Sequence, residues 1–183
     1  MRANQILDQD TPEEKIAEWI DAIQQSSGNC EPLLKLLPEQ TLTYQGRSTN
    51  EIIRIRGYIL AAFETLGLPD AAIPYVLEEL ESGRDAYLVA AAAKAVRGIS
   101  NPTEQLIPFL FKAVENIKYM DDAITFDSYK PQWPIENYTT ALTEIFETFK
   151  HLGKIAHSAL PKLEVMYEDD RSFSEQTRGK IKE

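Results

Sequence analysis

The sequence predicts an all-α protein, a short solenoid of about four helix pairs with one long insertion between repeats. Three observations predict it. Apolar residues recur at helical spacing along nearly the whole chain. An aliphatic–Pro motif recurs three times. Period-two alternation, the mark of a half-buried strand, is nowhere sustained.

Taken in order, the first pair is expected over residues 11–38. "TPEE" (Thr11–Glu14) offers an N-cap, a proline at the first helical position and an acid after it. The stripe Ile16, Trp19, Ile20, Ile23 follows. Residues 50–82 form the second pair. It is opened by "STNE" (Ser48–Glu51), striped by Ile52, Ile55, Ile59, Phe63 and Leu66, and broken at Gly67, which tolerates a left-handed conformation. Its second helix carries Ile73, Val76, Leu77 and Leu80. The third, 85–118, pairs Leu88, Ala92, Ala95, Ile99 with Leu106, Leu110, Val114, Ile117 across an "NPTE" start (Asn101–Glu104). The fourth, 138–168, sets Leu142, Ile145, Phe149, Leu152 against Ile155, Ala159, Leu163, Met166, with Gly153 between. A partial repeat, 173–183, opens at "SFSE" (Ser172–Glu175), after the polar turn Glu168–Arg171. The alanine-rich "YLVAAAAKAV" (Tyr87–Val96) predicts close helix–helix approach in the middle of the array.

The second helices share a motif: "IPYVLEEL" from Ile73, "IPFLFKAV" from Ile107 and "LPKLEVMY" from Leu160. Pro74 and Pro108 lie 34 residues apart, Pro108 and Pro161 lie 53 apart, and the surplus of 19 falls in one segment. That insertion, 119–137, is polar, acidic and aromatic. A period in the thirties built from two helices is a solenoid signature. With Leu–Gly at the ends of first helices and Ile/Leu–Pro opening the second, the segment from Ser48 to Asp170 resembles the HEAT-repeat (armadillo-like) family. The second repeat departs from the pattern, with Arg97–Gly98 in place of Leu–Gly. The resemblance implies a single domain forming a right-handed α-α superhelix.

Composition narrows function. The chain holds 29 acidic and 19 basic residues, a net charge of −10. That balance argues against nucleic acid, which needs a basic footprint, and against anionic membranes; a protein with a basic patch is the more natural partner. The longest apolar run, Tyr87–Ala93, is far shorter than the ~20 residues of a membrane span. The first residues lack a signal-peptide core, so the chain is expected to stay in the cytoplasm, or in the periplasm if it is excised from an exported protein. The single cysteine, Cys30, excludes an internal disulfide, and one Cys with His151 and His157 cannot build a Cys/His zinc site. The histidines read as surface residues at a helix junction, and Cys30 as a half-buried small residue. Asp121, Asp122 and Asp127 do not make a calcium loop, because their segment has no glycine. No catalytic residue, metal or cofactor is expected.

The function expected is therefore a non-enzymatic protein-interaction or scaffold module. Insertions of this length are usually functional or disordered, and the aromatic and proline content argues for order. Either the insertion covers the array edge, or it presents aromatic anchors to a partner. Candidate partner-binding residues are Tyr119, Asp121, Asp122, Phe126, Tyr129 and Trp133 on the insertion, with Arg54, Tyr58, Lys94 and Arg97 on a concave face. Glu144 and Glu147 complete the side chains expected to face solvent there. The family resemblance leaves two alternatives: a bilin lyase, or the N-terminal module of a longer bacterial chain bearing a thioredoxin-like copper-chaperone domain for cytochrome-oxidase assembly.

Overall fold

A computed structural model describes residues 7–26, 29–169 and 171–183. Its helices are α1 (Glu13–Gln25), α2 (Glu31–Leu34), α3 (Thr49–Leu66), α4 (Ile73–Ser82), α5 (Ala86–Val96), α6 (Ile107–Ile117), α7 (Ala141–Leu152), α8 (Leu160–Glu168) and α9 (Glu175–Lys182). Among the described residues the only strand-like feature is an isolated bridge between Ile124 and Thr139. The odd-numbered helices pack side by side in chain order, α1 on α3, α3 on α5, α5 on α7 and α7 on α9. In the second layer α4 packs on α6, and α5 and α7 close onto that layer through α4 and α6. The result is an all-α array with repeat-like pairwise contacts, a coarse helical solenoid.

The recurring motif has a structural meaning. Each aliphatic–Pro pair opens a second-layer helix, with proline in the first turn of α4, α6 and α8. Proline is tolerated there because the amides of a first turn have no intrahelical acceptor. A 3₁₀ turn precedes each of them, at Asp70–Ala72, Glu104–Leu106 and Gly153–Ala159. The start signals meet a mixed fate. Ser48 and Glu51 form the full capping box. The Thr11 start slips by one, with Pro12 itself at the cap. "NPTE" leads into a 3₁₀ turn and not directly into an α-helix, since the α-helix waits for the Ile107–Pro108 pair. The α9 cap is Ser174, which accepts from Thr177 N–H at 3.1 Å, in place of Ser172.

Gly67 and Gly153 end α3 and α7 with positive φ, as their position after leucine predicts. Gly98 answers a different need. A Cβ there would lie 2.0 Å from the Phe63 carbonyl oxygen, and its own carbonyl accepts from Leu68 N–H at 2.8 Å. The ends of α3 and α5 thus meet backbone to backbone, which accounts for Arg97–Gly98 where a Leu–Gly was expected. Alanines 90–93 and 95 are fully buried, and α5 touches four other helices through this small-residue surface. Ile99, assigned to the same stripe, lies beyond the end of α5. No described helix is long and apolar enough to cross a membrane.

Candidate functional site

The insertion is an ordered, non-helical strap between α6 and α7, and its hydrogen bonds fix it at both ends. At its base, the Asp121 carboxylate accepts Leu142 N–H at 2.9 Å, while Thr140 caps Thr143 N–H at 3.2 Å. Burial raises the Asp121 pKa, with the amide and hydroxyl hydrogen bonds opposing. The Ile124–Thr139 bridge, with N–H···O distances of 2.9 and 2.7 Å, then closes the loop.

Beyond the bridge the strap crosses the first-layer helices. Phe126 stacks on Tyr87 of α5, ring centroids 4.9 Å apart, with the Lys94 ammonium 5.4 Å from its centroid. Tyr129 meets Tyr58 of α3 edge to face at 5.6 Å, and its hydroxyl donates to Glu13 of α1 at 2.8 Å. Lys130 pairs with Glu13 and with Glu14, the latter at 2.6 Å. Burial and the bond to Glu13 both push the Tyr129 phenol upward, so it stays a donor. Tyr87 itself lies flat on α3, where a Cβ on Gly57 would sit 2.5 Å from its ring. A mid-helix glycine costs about 0.5–1 kcal/mol relative to alanine, and here the ring needs the space.

The candidate residues therefore divide. Tyr119 is 76% exposed and Trp133 82% exposed, and Asp122 is also at the surface. Phe126 is half-buried and Tyr129 buried, holding the strap down, while Asp121 is a helix cap. Arg54 and Tyr58 are half-buried beside Tyr129, Arg54 with its guanidinium 5.7 Å from that ring centroid. Tyr58 donates to Asp21 at 2.8 Å. These positions do not form the open concave face that the periodicity suggested, because the strap lies across it.

Lys94, Arg97 and Glu144 also depart from the expectation of solvent-facing side chains. Arg97 bonds to Glu64 at 2.6 Å and to Glu144 at 2.6 Å, and Lys94 pairs with Glu64 at 2.7 Å. Arg97 further donates to Thr148, whose hydroxyl is fully buried with the residue. Neighbouring first-layer helices approach so closely that polar groups between them find one another before they find water. Burial opposes the Glu64 charge, yet bonds from Lys94 and Arg97 outweigh it and lower its pKa. Glu147, on α7 with Glu144, pairs with Lys180 of α9 at 3.0 Å.

Glu64, Thr148 and the anchors Glu13 and Glu14 were not candidates on sequence. A signal for some of them exists in the period. Glu64 and Arg97, Glu147 and Lys180, and Lys150 and Glu183 are each 33 residues apart and hydrogen-bonded. Opposite charges one repeat apart mark neighbouring helices. No such signal links Tyr129 to Glu13, 116 residues away.

Between the strap and the first turns of α3 and α5 lies a half-open cavity of about 260 Å³, walled by Ile53, Ile124, Ile135 and Tyr87 and edged by Arg54 and Asp85. Cys30 is half-buried at the start of α2, and His151 and His157 are exposed. Among the described residues no group of three or more His, Cys, Asp or Glu side chains is arranged to hold a metal ion. Comparison of the chain with protein-family models, curated proteins and solved structures finds no match.

Proposed function

We propose that the protein is a HEAT-type interaction module that presents the tip of its strap, centred on Trp133, to a basic protein partner. The observation that carries this reading is the contrast within one loop. Trp133 is 82% exposed, whereas Phe126 and Tyr129 of the same strap are held against α5 and α3. A large aromatic ring in water forgoes burial energy, and a ring presented on an anchored loop gives up little entropy on binding. Tyr119 and Tyr138 near the base of the same insertion are also exposed, and Asp127 and Glu136 line one surface hollow with Trp133. The helical array serves as the rigid support, and function on such a fold lies in its surface. The aliphatic–Pro openings and the 33-residue charge pairing support the family assignment.

The test is capture of partners from lysate by the immobilised chain, followed by titration with each purified partner. Trp133→Ala is expected to weaken binding by about 2 kcal/mol or more. Val165→Ala, exposed on α8 at the far end of the array, should bind as wild type. Affinity for a basic partner should fall as salt is raised. Equal binding by Trp133→Ala and wild type would remove the strap tip from the interface.

A further inference from the structure

We infer that the cavity under the strap binds a small apolar α-amino acid, its carboxylate on Arg54 and its ammonium on Asp85. The first observation is an unpaired guanidinium. Arg47, Arg56 and Arg97 each bond to backbone carbonyls or carboxylates. Arg54 makes no hydrogen bond or ion pair with another described residue, although it is half-buried and the chain carries a net charge of −10. Its fork of donors matches a carboxylate.

The second observation is an orphan hydroxyl. Tyr87 walls the cavity, and its phenolic oxygen is buried without a partner. Unsatisfied buried polar groups are rare and call for an explanation. Arg54 and Asp85 line the same cavity as Tyr87. The strap thus closes over a cluster of polar groups that is not internally satisfied.

Asp85 supplies the complement. One of its oxygens caps α5 by accepting Leu88 N–H at 3.0 Å, which leaves the other without a bond to a described residue. A cation-accepting oxygen and a carboxylate-pairing guanidinium on one cavity suit a zwitterion. A zwitterion also enters an acidic protein without the repulsion that a phosphate dianion meets. Ile53, Ile124 and Ile135 offer an aliphatic wall for its side chain. The volume of about 260 Å³ falls below the range of about 300–1,000 Å³ typical of drug-sized ligands, so the ligand is small.

Isothermal titration of the full chain with L-leucine, L-phenylalanine, L-leucinamide, isocaproate and an acetylated tripeptide ending in a free leucine carboxylate tests the assignment. At least one free amino acid is expected to bind, with leucinamide and isocaproate each at least tenfold weaker. Arg54→Gln should weaken the amino acid at least tenfold. Asp85→Asn should weaken the amino acid but not isocaproate, and asparagine preserves the helix cap. A wild-type circular-dichroism spectrum and cooperative thermal unfolding show that both variants are folded. The inference is overturned if leucinamide binds as well as leucine, or if Arg54→Gln binds like wild type. It also fails if no probe gives heat at about 10 mM, well above a Kd of about 1 mM. Binding of the tripeptide without binding of either free amino acid overturns it too, and assigns the carboxylate to the terminus of a partner chain. None of these outcomes depends on Trp133.

Discussion

Glu64 bonds to both Lys94 and Arg97, so its neutralisation leaves two cations at the end of α5 sharing what Glu144 can offer. Glu64→Gln should cost about 1–2 kcal/mol at neutral pH, a value reduced for its partial exposure. The pH dependence follows from the lowered pKa. The carboxylate contributes stability above its ordinary value of 4.5, and loses that contribution as pH falls below it through the depressed folded-state pKa. Wild type and variant should therefore converge on acidification, as followed by chemical denaturation across pH. Phe63, fully buried between the layers, sets the apolar counterpart: Phe63→Ala should cost about 3–5 kcal/mol. Arg54 reads from sequence as a neutral surface position. Its place over the Tyr129 ring raises the expected cost of Arg54→Ala to about 0.5–1 kcal/mol, the usual worth of an exposed cation–π contact.

At the level of the element, the strap is stable because it borrows partners from helices that are distant in sequence. Its own backbone makes one bridge, Ile124 with Thr139, and a loop with so little internal bonding stays ordered only through side-chain anchors. Tyr129 is the principal one, since it joins Tyr58 by ring contact and Glu13 by hydrogen bond. Tyr129→Ala should therefore expose the strap to limited proteolysis between Thr125 and Tyr138 while leaving the helical circular-dichroism signal unchanged. Resistance equal to wild type would mean that Phe126 on Tyr87 suffices. The exposed tip needs no such anchor. Trp133→Ala is expected to leave both proteolysis and melting temperature unaltered, which separates its role from that of Tyr129.

For the molecule as a whole, the strap changes how the array unfolds. In a solenoid each repeat touches only its neighbours, and terminal helices fray first. Here Tyr129 and Lys130, whose strap is rooted at the start of α7, reach Glu13 and Glu14 on α1. That connection ties the first helix to the start of α7 without passing through the α1–α3, α3–α5 and α5–α7 contacts. Hydrogen exchange should thus find the amides of Ile16–Ile23 protected, and Tyr129→Ala should speed their exchange even though the α1–α3 contact is untouched. Exchange in α1 that is indifferent to Tyr129 would show the strap to be a passive cover.

Sequence by itself determined the all-helical character, most of the helices and the place of the insertion. The pairing was settled in three dimensions, where α4 packs on α5 and α6 on α7, each more than on the helix before it in its expected repeat. The helices and the insertion are written in local periodicity: a stripe of 3.6 residues, a proline opening α4, α6 and α8, a glycine at the ends of α3 and α7. The capping box at Ser48 was equally legible, because both partners lie within one turn. Slips occurred where local signals competed, as at Asn101, whose cap pattern yielded to the aliphatic–Pro start six residues later. The destination of side chains between helices was not local. Arg97, Lys94 and Glu144 looked exposed because their stripe position is polar, yet the alanine surface of α5 draws its neighbours close enough to pair them. The strap was beyond sequence for a stronger reason. Its course is fixed by contacts such as Tyr129 with Glu13, and nothing in a period or a motif says which of many distant acids a tyrosine will meet. Only the tertiary structure decides that the same insertion covers one face, roofs a half-open cavity edged by Arg54 and Asp85, and leaves Trp133 in solvent.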